Sequence, residues 1–299
     1  MRARIAYSLL LTVSILPRTL SQAIGKLIGW VNYRFDTRAA KVTRVNVSLC
    51  LPEQTAEQSK RLVFDSLIHT GQTMMETPAV WLGARRRVDS WISDTSNETL
   101  LTDAMRAGQG VIVLLPHLGN WELFNVYFAR LGSMTALYQP PRQAYLRPMM
   151  REIRQNFGNE LVSPSVKGLS RLYRCLEDGG VVTVLPDQIP ASGAFSAFFG
   201  VQALTDKLIP RLIRKTGATV VVVNVVRQPD GTFHIVCSRP DSGIYDEDLA
   251  VALRAMNLAV ETSVLPAPAQ YQWEYKRFRE RPAGEKKVYR FNKPLELHS

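Results

Sequence analysis

Cysteine is scarce in this 299-residue sequence, with only Cys50, Cys175 and Cys237, and the three lie far apart. Such spacing supplies neither a paired disulfide framework nor a metal-ligand cluster, and it fits a reducing compartment where free thiols persist. Long apolar runs are missing too. The most apolar stretch, Ile5 to Leu16, is about a dozen residues, short of the roughly twenty that a straight membrane-crossing helix needs. Repeats and low-complexity tracts are absent, and 46% hydrophobic with 21% charged residues is the composition of a folded chain rather than a disordered one. The sequence has no G-x-S-x-G elbow, no P-loop and no G-x-G-x-x-G. Serine hydrolase, nucleotidase and dehydrogenase readings therefore lack their usual support.

Acidic residues are in the minority, 26 against 37 lysines and arginines, for a formal charge of +11. A surface of that sign favours nucleic acid, anionic lipid or an acidic carrier protein. Zinc-finger spacing, aromatic-interleaved basic motifs and basic-region heptads are all lacking, which sets nucleic acid aside.

What is present begins at the amino terminus. Arg2 and Arg4 precede the apolar stretch, and Pro17 and Arg18 close it. A second stretch, Leu20 to Tyr33, carries Lys26 and ends in Trp30 and Tyr33, residue types that favour the bilayer interface. No small-x-small cleavage site leads into a polar start, so residues 1–34 are expected to anchor in or on a membrane, with the arginines on the cytoplasmic side. The remaining residues, 35–299, are expected to form one α/β domain.

Within that domain, helical composition runs from Thr55 to Leu82 with an apolar stripe at helical spacing, and His69 reads there as a packing residue. Further on, helices are expected over Leu100–Ala107, Leu146–Phe157, Leu169–Leu176 and Asp206–Thr216. Buried strands are expected over Val111–Leu115, Met134–Tyr138, Val181–Leu185 and Thr219–Val226, with Phe233–Ser238 returning across the Pro229-Asp230-Gly231 turn. This alternation predicts an α/β fold with a mixed, mostly parallel sheet flanked by helices, following an N-terminal membrane-associated helical segment. Sites are expected at the carboxyl ends of its strands.

The strongest chemical signal stands at one such end. Val111–Leu115 runs into Pro116-His117-Leu118-Gly119-Asn120-Trp121-Glu122, an imidazole followed five residues later by a carboxylate. On an uninterrupted helix that spacing would rotate the two about 140° apart, so the segment must be a turn entering a helix, for which Gly119 and Asn120 are suited. An imidazole whose second nitrogen is held by a carboxylate can take a proton from a hydroxyl, without any serine or cysteine nucleophile.

The segment His117 to Glu122 resembles the H-x4-D/E motif of the late acyltransferases of lipid A biosynthesis, a branch of the wider glycerolipid acyltransferase group. The similarity extends through Arg44-Val45-Asn46, Cys50 to Glu53, Tyr138-Gln139-Pro140, Arg154 before Phe157-Gly158, Pro186-Asp187-Gln188, Phe198-Phe199-Gly200 before Thr205, and Gln272-Trp273 to Phe278. Gln139 stands where a basic residue is frequent, and Ile189-Pro190 where polar residues are common, departures that bear on the acceptor rather than on the reaction.

The resemblance implies an acyltransferase with His117 and Glu122 as catalytic residues. Arg154, Asp187, Asn120 and Arg142 are candidates for binding substrate, a developing oxyanion or phosphate. It implies an acyl carrier protein thioester as donor, a hydroxyl of a phosphorylated lipid A precursor as acceptor, and the cytoplasmic face of the bacterial inner membrane as location. Neither cofactor nor metal is called for, because a thioester needs only an activated hydroxyl and a stabilised oxyanion. The alternatives are a relative acting on a lysophospholipid, aminolipid or other glycolipid, and a non-catalytic membrane-binding protein, against which the intact His117 and Glu122 argue. The tail from Tyr271 to Arg281 reads as packing and basic surface.

Overall fold

The computed structural model describes residues 2–137 and 157–291. Five helices come first: α1 (Arg2–Ser14), α2 (Arg18–Arg34), α3 (Arg38–Cys50), α4 (Ala56–Leu82) and the short α5 (Arg85–Asp89). Pro17 separates the first two, and Thr55 starts α4 with a capping box in which its hydroxyl and the Gln58 side chain satisfy each other's backbone N–H. Both apolar N-terminal stretches are helical, as hydropathy implies, but no described helix is long and apolar enough to cross a membrane.

The α2–α4 interface is a backbone contact. A Cβ on Gly71 would lie 2.1 Å from the Gly25 carbonyl oxygen, and one on Gly29 would lie 2.4 Å from that of Leu67. Only glycine allows two helices to approach this closely.

After β1 (Ile92–Ser96) and α6 (Glu98–Ala107), strand β2 (Val111–Leu114) enters the middle of the sheet. Next come α7 (Leu123–Phe128), β3 (Thr135–Leu137), β4 (Glu160–Val162), α8 (Val166–Glu177) and β5 (Val181–Val184). The β6–β7 hairpin (Gly193–Phe198, Val201–Asp206), α9 (Leu208–Thr216), β8 (Thr219–Arg227), β9 (Phe233–Ser238) and α10 (Leu249–Val264) complete the domain. Seven strands form one sheet in the order β1-β9-β8-β2-β5-β3-β4, in which only the β8–β9 neighbours run antiparallel. The expected mixed, mostly parallel sheet flanked by helices is present.

Alternation along the central strands feeds two apolar layers. Val111, Val113, Val221 and Val223 face α7, where Phe124, Tyr127 and Phe128 are buried. Ile112, Leu114, Val182 and Val222 face Leu172 of α8, Ile209 and Leu212 of α9, and Met256 of α10. A third apolar cluster joins Val47 of α3 and Leu67 of α4 to Phe198, Tyr271, Trp273 and Phe278. Each such buried side chain stabilises the fold by roughly 1.5–3 kcal/mol over its exposed state.

Several expectations change. Asp206, read as a helix start, ends β7, while its carboxylate accepts the Leu208 N–H at 2.9 Å and so caps the next helix from the strand. Strands β1 and β4, the β6–β7 hairpin, and helices α3, α5 and α10 are additional to the elements that the sequence implies. The helix expected over Leu146–Phe157 falls outside the described residues, apart from Phe157. The three cysteines are buried free thiols.

Candidate active site

β2 lies between β8 and β5, and its chain leaves the sheet through Leu115 and Pro116 to present His117. The turn that follows is pinned by the strands around it. Gly119 N–H donates to the Gln270 carbonyl at 2.9 Å, Asn120 N–H to the Val225 carbonyl at 3.1 Å, and Gln272 N–H to the His117 carbonyl at 3.1 Å. Gly119 has φ +61°, and a Cβ there would lie 1.9 Å from the Val225 carbonyl oxygen, so no other residue fits. Glu122 already has helical dihedrals and opens α7. The turn-into-helix geometry demanded by the five-residue spacing is what the chain adopts.

His117 is 8% exposed, and both ring nitrogens have partners supplied by the loop after β5. Asp187 Oδ1 lies 2.7 Å from Nδ1, and Asp187 Oδ2 accepts the His117 backbone N–H at 2.8 Å, so one carboxylate fixes ring and backbone together. Gln188 Nε2 lies 3.0 Å from His117 Nε2. These partners assign the proton to Nδ1 and leave the Nε2 lone pair accepting from the Gln188 amide. The Trp121 indole packs edge-on against the imidazole, with centroids 4.7 Å apart.

Burial pushes the Asp187 carboxyl up, but its electrostatic interaction with the neighbouring imidazole and the hydrogen bonds from His117 outweigh that and hold it below the ordinary carboxylate range. Asp187 therefore stays ionised where His117 works. Behind it, burial followed by the Asp187 charge pushes the Tyr271 phenol well up. The C-terminal tail supports the site directly through the Gln272 backbone, besides packing Tyr271, Trp273 and Phe278 into the core.

Glu122 is 6% exposed, and the Asn125 amide donates to its Oε2 at 3.3 Å. Its side chain lines a cavity of about 460 Å³ between α1, α4 and the catalytic turn. Leu10, Met74, Pro78, Trp81 and Trp121 give that cavity apolar walls, and Thr70, Gln272 and Glu274 line it with polar groups. Burial raises the Glu274 carboxyl above its ordinary value, against hydrogen bonds that include one from Thr70 at 3.0 Å. Gln272 Oε1 reaches Gln188 Nε2 at 3.4 Å, which links the cavity wall to the imidazole.

Of the residues singled out in the sequence, His117, Asn120, Glu122 and Asp187 come together at the ends of β2 and β5. Asn120 is fully buried, with its amide directed at Glu76 of α4. Arg142 and Arg154 lie outside the described residues, as do Arg147 and Arg151. The carboxylate on Nδ1 is Asp187, 70 residues away in sequence, rather than the nearby Glu122. Sequence reasoning also missed a buried pair beneath the turn, Glu76 with Arg227, joined at 2.6 Å. Its only trace was charge where apolar residues are expected: a glutamate on the inward side of α4 and an arginine ending the apolar β8. Among the described residues, no cluster of three or more His, Cys, Asp or Glu side chains is arranged to hold a metal.

Comparison with known proteins bears on this arrangement. The family described as bacterial lipid A biosynthesis acyltransferase matches residues 4–280. A lipid A biosynthesis palmitoleoyltransferase of Escherichia coli (strain K12) is 27% identical over 277 residues, covering 92% of this chain and 90% of its own. A lauroyltransferase of the same organism and pathway is 27% identical over 273 residues, covering 90% and 88%. A myristoyltransferase is 26% identical over 267 residues, covering 86% and 81%.

Proposed function

The chain belongs to the bacterial lipid A biosynthesis acyltransferase family, and we propose that it moves a fatty acyl chain from an acyl carrier protein thioester to a hydroxyl of a lipid A precursor, with His117 as the base. It is an acyltransferase of lipid A biosynthesis. The observation that carries the mechanism is the Asp187–His117 pair, a buried imidazole with a carboxylate on Nδ1 and its Nε2 lone pair directed away from it.

The acceptor hydroxyl replaces the Gln188 amide at His117 Nε2. As its oxygen attacks the thioester carbonyl, its proton passes to Nε2, and the imidazolium is stabilised by Asp187. The tetrahedral intermediate collapses by breaking the C–S bond, and the Nε2 proton passes to the departing thiolate. Ester and thiol are the products, and the imidazole returns to its starting form. Glu122 acts from the cavity wall as the second catalytic group. The apolar cavity, within the roughly 300–1,000 Å³ range of small-molecule sites, takes the acyl chain. Arg154 and Arg142 are proposed to bind the acceptor's phosphate or the oxyanion, since a guanidinium grips either through paired hydrogen bonds.

The first two helices are proposed to rest on the cytoplasmic face of the inner membrane. Ile5, Leu9, Ile15, Leu27, Trp30 and Phe35 expose apolar surface there, interspersed with Arg18, Lys26 and Arg34. Short helices of this character favour an interfacial position over a span.

The test is mass spectrometry of lipid A from a strain lacking the gene, restored with wild type or His117→Ala. The expected result is lipid A lighter by one acyl chain, restored only by the wild type. Unchanged lipid A with altered phospholipids or aminolipids would move the acceptor to another lipid class.

A further inference from the structure

The catalytic turn rests on a buried charged network that takes no part in the acyl-transfer steps. Glu76 and Arg227 have side chains 0% and 2% exposed. They pair through two contacts, Arg227 Nη2 to Glu76 Oε2 at 2.6 Å and Arg227 Nε to Glu76 Oε1 at 3.0 Å. The guanidinium also donates to Thr73 Oγ1 at 2.9 Å and to His69 Nδ1 at 2.7 Å. His69 accepts because burial and the adjacent Arg227 charge lower its pKa to about 3, keeping it neutral.

From this pair two bonds reach the turn between His117 and Glu122. Asn120 Nδ2 donates to Glu76 Oε2 at 3.0 Å, and Thr73 Oγ1 donates to the Gly119 carbonyl at 3.0 Å. A third bond reaches outward: Gln22 Nε2 of α2 donates to Glu76 Oε1 at 2.8 Å, and also to the Gly231 carbonyl at 2.8 Å. Burying an ion pair in place of apolar side chains gains little stability, because desolvation offsets attraction. A fixed geometry is what such a pair supplies here.

We propose that Asn120 is a positioning residue for the reaction, held by the Glu76–Arg227 pair so that His117 and Glu122 keep their relative placement, and that Gln22 makes this setting depend on how α2 is seated. The proposal rests on His117 being the base. Asn120 lies between the two catalytic side chains, and its amide is the side-chain link from the middle of the turn to the carboxylate below. Loss of that link lets the turn shift, and misplacement by about 1 Å can cost on the order of a hundredfold in rate.

The experiment measures kcat and KM with an acyl carrier protein thioester and a lipid A precursor, alongside Tm, for Asn120→Ala, Glu76→Gln, Asn120→Asp, the double variant Glu76→Gln/Asn120→Asp, Gln22→Met and His117→Ala. Asn120→Ala and each charge-altering single variant should lower kcat by about a hundredfold with KM for both substrates little changed. The double variant should recover most of that loss, because donor and acceptor exchange places and the network keeps one carboxylate. Gln22→Met, which leaves the ion pair whole, should lower kcat several-fold. Wild-type kcat in a folded Asn120→Ala protein, a rise in KM alone, or losses that merely follow the unfolded fraction would overturn the proposal. So would a double variant no better than its parents. If His117→Ala is itself active, the assignment of the base fails instead.

Discussion

The catalytic turn and the N-terminal helices touch the same helix, α4, yet they are held in opposite ways. The turn is polar and buried, each of its key side chains tied by directional bonds to a partner: His117 to Asp187, Asn120 to Glu76, Glu122 to Asn125. Helices α1 and α2 are apolar and largely open. Their backbone contact is the glycine seam of α2 on α4, and Ile5 and Leu9 of α1, with Ile15 just beyond its end, remain more than half exposed. Directional bonds suit a site that must hold atoms in one arrangement, whereas unspent apolar surface suits an element that meets a fluid partner. Gln22 is where the two regimes meet.

The sharpest way to break the comparison is at the site. His117→Ala and Asp187→Asn should each lower turnover about a hundredfold to ten-thousandfold while leaving the fold intact, and the double variant should lose little beyond the worse single one. Steady-state rates and circular dichroism check both halves of that expectation. Near-normal turnover in a folded His117→Ala protein would remove the mechanism.

A smaller effect concerns the ionic floor and its dependence on pH. His69 has a folded pKa of about 3 against an ordinary 6.5, so between those values the unfolded chain binds the extra proton. Its contribution to stability is therefore complete above 6.5 and is lost as the pH falls toward 3. Between pH 7 and pH 5 the loss amounts to about 2 kcal/mol. His69→Gln, whose amide oxygen can accept from Arg227, should flatten that part of the profile in urea unfolding at the two pH values. An unchanged difference would mean that His69 does not titrate as a buried neutral group.

The glycine seam predicts a comparable loss with no pH dependence. Gly71→Ala gains up to about 1 kcal/mol in helix propensity, but its methyl group meets the Gly25 backbone, which cannot rotate away. The net result should be a loss of about 1–3 kcal/mol in urea unfolding. The smallest effect on the fold belongs to α1. Ile5→Ser, Leu9→Ser and Ile15→Ser should each alter stability by no more than about 0.5 kcal/mol. Together they should reduce binding to vesicles containing anionic lipid. Equal vesicle binding by the triple variant would move the proposed membrane contact away from this face.

Much of the fold was legible because its signals are local. The apolar runs at Val111–Leu115, Val181–Leu185 and Thr219–Val226 became the central strands within a residue or two. The turn at Pro229–Gly231 joins an antiparallel pair as its composition implied. The β6–β7 hairpin was missed because its outward positions are only half-buried and Phe199-Gly200 turns the chain with positive φ at both residues, leaving no strong periodicity. Two of the site candidates were legible for chemical reasons: an imidazole and a carboxylate beyond a buried strand, at a spacing that no single helix accommodates.

Local sequence was enough to specify the chemistry available: which strand would end in His117, that Glu122 would follow on a new helix, and that no thiol or hydroxyl nucleophile was called for. The tertiary structure alone decided which groups meet. Asp187 and Arg227 lie 70 and 151 residues from His117 and Glu76, and hydropathy says nothing about pairings at that separation. It decided as well which of two similar apolar helices would pack backbone to backbone on α4, because so close an approach depends on where Gly25, Gly29 and Gly71 coincide in space. Periodicity and turn chemistry act over a few residues, whereas hydrogen-bond partners and backbone clearances exist only once the sheet has brought distant strand ends side by side.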